Sequence, residues 1–188
     1  MDGRNRYERV FAAWLRRQSL IYLLVDETHR RVFAGQTVKS PDFVVYGRKG
    51  QRFVIDVKGR RYPSGNEPRP RCVWERWCTR MDCTSLLRWS DALQGQGLLV
   101  FVYHIRKGYE QACPSWLETW CWQENSYGLC GVRVEKYIEQ MRLRSAKWDT
   151  VSLPMAVFRE LAEPISVLLG VMEDYDLVSP GGSAVFAE

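Results

Sequence analysis

The sequence predicts an α/β domain in which a mixed β-sheet core is flanked by helices. Three observations carry this expectation. Residues 5–17 place Tyr7, Val10, Phe11, Trp14 and Leu15 on one helical stripe, and residues 40–60 read as two apolar strands joined by a basic turn. Residues 82–105 then run from a second amphipathic helix into the near-continuous apolar strand GLLVFVYHI. The 188 residues are most simply one domain, with a core over about 5–105, an extension over 106–170 and a flexible tail over 171–188.

Taken in order, Asn5 is placed to cap the first helix. SLIYLLVD, residues 19–26, predicts a buried strand, and the polar stretch ETHRRVFAGQTVKS carries the chain to the hairpin. RRYPSGNEPRPR, residues 60–71, predicts a loop from its Pro, Gly and Arg content, and CVWERWCTRMDC a return to packed structure. Asp82 to Gln94 predicts a helix with Leu86, Leu87, Trp89, Ala92 and Leu93 apolar, stopped by Gly95. Residues 127–141 suit either a strand or a helix, TVSLP a short strand, and MAVFRELAEPISVLLG a helical segment interrupted at Pro164.

Composition narrows the class. With 46% hydrophobic and 26% charged residues the chain has the usage of a globular protein that can bury a core. The polar, basic N-terminus and the shortness of LIYLLV predict neither a secretory leader nor a membrane span, so a cytoplasmic protein is expected. The six cysteines form no C-x-x-C pair, and no His stands at zinc-finger spacing, which favours free thiols over a zinc site or redox pair. A cluster of Cys72, Cys78 and Cys83 stays open as an alternative.

Charge is unevenly distributed. Residues 1–88 hold 19 Lys and Arg against 9 Asp and Glu, a net +10, whereas residues 89–188 hold 8 against 13, a net −5. The basic residues come from several segments rather than one tail, which suits a polyanionic partner.

The hairpin concentrates chemistry at one end. A turn centred on Arg48 and Lys49 pairs Phe43 with Ile55, Val44 with Val54, Val45 with Phe53 and Asp42 with Asp56. The two-residue period puts Phe43, Val45, Phe53, Ile55 and Val57 on a core face, and Asp42, Val44, Val54, Asp56 and Lys58 on the other. Two like charges directly opposed, with Cβ atoms about 5 Å apart, destabilise a sheet unless a cation lies between them. Either Lys58 and its basic neighbours neutralise a solvated hairpin end, or a divalent cation binds Asp42, Asp56 and the backbone carbonyl of Val57. Val44 and Val54 make the middle of this face apolar, so a cover is expected, with the first helix as the natural candidate. Glu8 lies about 20° from Leu15 on the helical wheel and would bring a third carboxylate. Its alternative role is a capping box with Asn5.

Pro41-Asp42 stands fourteen residues before Asp56-Val57-Lys58, a P-D…(D/E)-x-K arrangement. With an acidic residue on the preceding helix and the order helix, strand, hairpin, helix, strand, the chain resembles the PD-(D/E)xK, or restriction-endonuclease-like, nuclease superfamily over roughly residues 5–105. It also resembles, over nearly its whole length, the uncharacterised bacterial HYExAFE-motif family, named for an H-Y-E-x-A-F-E helix. Here that stretch is RYERVFA, with Arg6, Val10 and Ala12 in place of His, Ala and the last Glu. VDETHRR, SPDF, DVKGRR and LLRW fit the same family.

The resemblance implies Mg²⁺- or Mn²⁺-dependent hydrolysis of phosphodiester bonds, with DNA as the expected substrate. Asp42, Asp56 and Glu8 would serve the metal, and Lys58 would orient the attacking water and stabilise charge on the phosphate. Lys39, Arg48, Lys49, Arg60 and Arg61 are expected to contact the nucleic-acid backbone, and a homodimer is an open option. The competing expectation is a nucleic-acid-binding module on the same fold without catalysis.

Overall fold

The computed structural model describes residues 5–25, 31–33, 36–66 and 68–171. In chain order the elements are α1 (Arg6–Arg17), β1 (Ile21–Leu24), β2 (Arg31–Phe33), β3 (Gln36–Val38), β4 (Phe43–Tyr46), β5 (Arg52–Tyr62), β6 (Trp77–Thr79) and α2 (Arg80–Leu93). Then follow β7 (Gln96–Ile105), β8 (Glu118–Trp122), β9 (Asn125–Arg133), α3 (Val134–Gln140), β10 (Arg142–Ser145), β11 (Thr150–Ser152), α4 (Met155–Leu161), β12 (Glu163–Pro164) and α5 (Ile165–Leu168). The expected α/β architecture is present. A seven-stranded mixed sheet runs β1-β4-β5-β7-β9-β12, with β8 on β9. β5 and β7 are parallel and joined through α2, while their other neighbours are antiparallel.

The β4–β5 ladder has the predicted register, Phe43 opposite Ile55, Val44 opposite Val54 and Val45 opposite Phe53. The sheet separates two cores. On one face α1 contributes Val10, Phe11, Trp14 and Leu15 against Phe43, Val45, Phe53, Ile55 and Val57. On the other, Val54, Leu99, Phe101 and Tyr103 meet Cys83 and Leu86 of α2 and Phe158 of α4. The first helix therefore covers the odd-numbered face of β5, and α2 covers the face that carries Asp56 and Lys58. This corrects the expectation that α1 roofs the acidic face. The stripe of α1 satisfies either side of a sheet; the short approach of Tyr7 to Gly59 fixes the side chosen, since a Cβ on Gly59 would lie 2.0 Å from the Tyr7 ring.

Other elements depart from expectation. β1 is an exposed edge strand rather than a buried one, with Ile21, Leu23 and Leu24 open to solvent, because among the described residues only β4 pairs with it. Asp26 and the following residues to 30 lie outside the described residues. α2 starts two residues earlier than expected, because Thr79 caps it, and it ends at Gln94 in the left-handed conformation rather than at Gly95. The ambiguous stretch 127–141 holds both answers, β9 followed by α3. β8 was not legible: the hairpin to β9 turns on Gln123 and Glu124, both at positive φ, without the Asn-Gly signal such turns favour. Pro164 does break the C-terminal helical segment, forming β12 and the entry to α5. The tail expected over 171–188 lies outside the described residues beyond Val171, which packs against the α1 core.

All six cysteines are free thiols. Cys78 and Cys83 are buried with Sγ atoms 3.3 Å apart, whereas Cys72 is exposed and so does not join them. Among the described residues no helix is long and apolar enough to cross a membrane.

Candidate functional site

The site begins with three backbone decisions. Asp42, following Pro41, donates its amide to the Ile55 carbonyl (2.9 Å) and accepts the Val25 amide (3.2 Å), so it is pinned between β1 and β5. Its Oδ2 then accepts the Val57 amide at 2.5 Å. Asp56 and Lys58, two apart on β5, project to one face. The first turn of α2 sits above them, held by a capping box in which Asp82 N–H donates to Thr79 Oγ1 and Thr79 N–H donates to Asp82 Oδ2.

These decisions produce a closed ring of four charges. Lys58 Nζ lies 2.5 Å from Asp56 Oδ2 and 3.0 Å from Asp82 Oδ2. Lys39 Nζ lies 2.9 Å from Asp56 Oδ1 and 3.0 Å from Asp82 Oδ1. Asp56, Asp82 and Lys58 are buried, and Lys39 reaches in from the rim with 38% of its side chain exposed. Its backbone is clipped to α2, the amide donating to Ser85 Oγ and the carbonyl accepting from Trp89 Nε1. Such a ring is tolerated in a low-dielectric setting only because every charge is met.

Proton affinities follow. Burial works against the ammonium of Lys39, but the Asp56 and Asp82 carboxylates outweigh it and raise its pKa. Burial opposes ionisation of Asp82 as well, yet Lys58, Lys39 and the Thr79 amide hold its carboxyl well below the usual carboxylate range. The N-terminus of α2 adds its favourable dipole.

Asp56 and Lys58 are thus brought together as expected, and Asp42 stands beside them through Val57. Glu8 lies in the first turn of α1, on the helix packed against the opposite face, where its Oε1 accepts from the Asn5 side chain. The Asn5 side chain in turn caps the Tyr7 and Glu8 amides, so Glu8 stands beside the helix cap through the Asn5 side chain rather than through the Asn5 backbone N–H that a capping box would use. Arg48 and Lys49 occupy the exposed turn at the far end of β5 and are not brought to the ring. Arg60 shares the face of Lys58, donating to the carbonyls of Gly59 and Trp77, while Arg61 is exposed on the alternate side.

Asp82 is the residue that the sequence reading missed. The T-x-x-D pattern of Thr79 to Asp82 marks a helix start. Nothing in that pattern says which strand the helix start will face.

The oxygen-only donors Asp42, Asp56 and the Val57 carbonyl suit a hard divalent cation. Among the described residues no group of three or more His, Cys, Asp or Glu is placed to hold a metal ion, and the positive charge at Asp56 comes from Lys39 and Lys58.

No family model matches the sequence, and no curated protein matches it, so the HYExAFE-motif family is not shown. Among solved structures the chain is similar to that of Archaeoglobus fulgidus Hjc, a Holliday junction resolvase from an archaeal hyperthermophile, determined at 1.6 Å resolution. The two share 11% identity over 88% of this chain and 98% of that one, with a TM-score of 0.49. Likeness at this level carries no statement about activity.

Proposed function

We propose that this protein is a divalent-metal-dependent nuclease of the PD-(D/E)xK kind acting on DNA. The observation that carries the reading is the buried Asp56–Lys58 pair on one face of β5, with Asp42 locked beside it by the Val57 amide. The net +10 of residues 1–88 supports a polyanionic substrate.

Asp42, Asp56 and the Val57 carbonyl would hold Mg²⁺ or Mn²⁺, without Glu8, whose helix packs on the opposite face of the sheet. The cation supplies an activated water and a polarised phosphoryl oxygen. The protein's own part falls to its side chains. Lys58, fixed between Asp56 and Asp82, places an ammonium where it orients the water and meets charge growing on the phosphate. Asp82 is a positioning residue that keeps Lys58 extended along the strand. Lys39, with its partly exposed stem, is the cation that metal would displace from Asp56. Lys39, once released from Asp56, would meet a flanking phosphate, a contact that gives affinity without reading sequence.

The test is incubation of the purified protein with supercoiled, nicked, branched and single-stranded DNA in Mg²⁺ or Mn²⁺. Cleavage of at least one form is expected, with loss in Asp56→Ala and Lys58→Ala. Absence of cleavage of every form, or equal cleavage by both variants, overturns the proposal. Salt-sensitive DNA binding without cleavage would instead favour a binding module whose four-charge ring is purely structural.

A further inference from the structure

A groove of about 460 Å³ opens on the side of the molecule built by β6, β10 and β11 and the loop that follows β5. Its lining includes Arg71, Arg76, Arg142 and Arg144, with Glu75 and Trp77. Arg71, Arg142 and Arg144 are exposed. Arg76 is fixed into the wall, donating to the carbonyls of Leu153 (2.6 Å) and Trp74 (3.1 Å). Trp77 is bracketed by cations: Arg60 stands 4.1 Å and Arg144 4.9 Å from its ring centroid. Among the described residues Glu75 is the one carboxylate of the lining, and it accepts from Trp77 Nε1 at 3.3 Å.

Four guanidinium groups and, among the described residues, one carboxylate give the lining an excess of positive charge, which suits an anionic ligand. The groove adjoins the site already described through packed side chains, Trp77 of its lining touching Arg60. Arg60 follows Lys58 by two residues on the same face of β5, a step of about 7 Å, and its guanidinium donates to the Trp77 carbonyl. A polyanion lying in the groove would therefore lie against Trp77, one side chain removed from Arg60 and the strand that carries Lys58.

We infer that this groove binds the phosphodiester backbone of the nucleic-acid strand that runs outward from the cleavage site, through Arg71, Arg142 and Arg144. The inference rests on the nuclease reading for its substrate and goes beyond it in assigning a binding surface to the C-terminal extension. Guanidinium groups are suited to it because their planar donors take phosphate oxygens in pairs.

The experiment measures binding of fluorescein-labelled single-stranded and duplex DNA by anisotropy, in EDTA so that no cleavage intervenes, over a range of salt concentrations. Wild type is compared with Arg142→Ala/Arg144→Ala, with Arg71→Ala and with Arg142→Lys/Arg144→Lys, each first checked for an unchanged thermal melt. Loss of two phosphate contacts is expected to lower the slope of log K against log salt by about 2 and to weaken binding at least tenfold, with the lysine variant retaining most of the slope. An unchanged slope and affinity in the double alanine variant overturns the inference. So does a polyglutamate competitor that displaces DNA at equal charge concentration, which would make the groove a site for an acidic protein. Wild-type protein that binds DNA through the groove but never cleaves it leaves this inference standing and removes the nuclease reading. Cleavage with unaltered binding in the arginine variants does the reverse.

Discussion

Lys58 Nζ lies 2.5 Å from Asp56 Oδ2, and the two residues belong to the same face of one strand. The pleat of β5 puts both side chains on one face, and the lysine stem brings its ammonium onto the carboxylate. Lys58 is further tied to Asp82, which leaves its ammonium little freedom. If it stabilises charge that develops only during the reaction, Lys58→Ala should lower kcat by about 10²- to 10³-fold with little change in KM. Steady-state cleavage assays check this, and EDTA should abolish the activity of both proteins.

Lys39 bridges Asp56 and Asp82 from the rim. On the proposed reading a divalent cation would compete with this ammonium for Asp56 Oδ1. Lys39→Met should therefore tighten Mn²⁺ binding, by about tenfold if the competition is worth roughly 1.4 kcal/mol. Isothermal titration with MnCl₂ reads this without any reference to cleavage. Weaker binding in the variant would mean that Lys39 supports the metal rather than replaces it.

Asp82 holds Lys58 without standing on β5 itself. Asp82→Asn keeps the helix cap competent, since Asn accepts from an N-terminal amide, but removes the charge that positions Lys58. A fall of about tenfold or more in kcat with unchanged KM is expected, with Asp82→Ala losing stability as well. Thermal melts of the two variants separate positioning from folding.

The depressed pKa of Asp82 also sets a direction for acid stability. Between its unfolded value, about 3.9, and its lower folded value, the unfolded chain carries the proton and the folded one does not. Stability from this group is present above about pH 4 and is lost as pH falls through that window. Urea midpoints measured from pH 6 down to pH 2 should drop less steeply in Asp82→Asn than in wild type.

Tyr7 and Gly59 fix which side of the sheet α1 takes. Gly59→Ala drives a methyl into the Tyr7 ring and should destabilise by about 1–3 kcal/mol. Tyr7→Ala in the same chain should recover part of that loss, and a double-mutant cycle by denaturant unfolding measures the coupling.

Sequence patterning settled what depends on local periodicity. The two-residue alternation of the hairpin gave its register and separated Phe43, Val45, Phe53 and Ile55 from Asp56 and Lys58, since a slip of one residue would have turned every apolar side chain to the wrong face. The helical stripe of α1 and the double-sided burial of β7 were legible for the same reason. Two strands were hidden: β8 by a turn in which Gln123 and Glu124 adopt positive φ without the usual residue types, and β10 because it is an exposed stretch with no alternation to reveal it.

What tertiary structure alone decided is which helix lies over which face. An amphipathic stripe states that one side of a helix is buried but carries no address, so α1 and α2 were exchangeable as covers for the acidic face. Packing chose α2, through Leu86 and Cys83 against Val54 on one side and the Tyr7–Gly59 contact on the other. That choice placed Asp82 against Lys58 and left Glu8 beside its helix cap. The Asp56–Lys58 pair is written in two residues of one strand; the partners of the pair in the ring come from segments 17 and 26 residues from Asp56, and only folding brings those charges together.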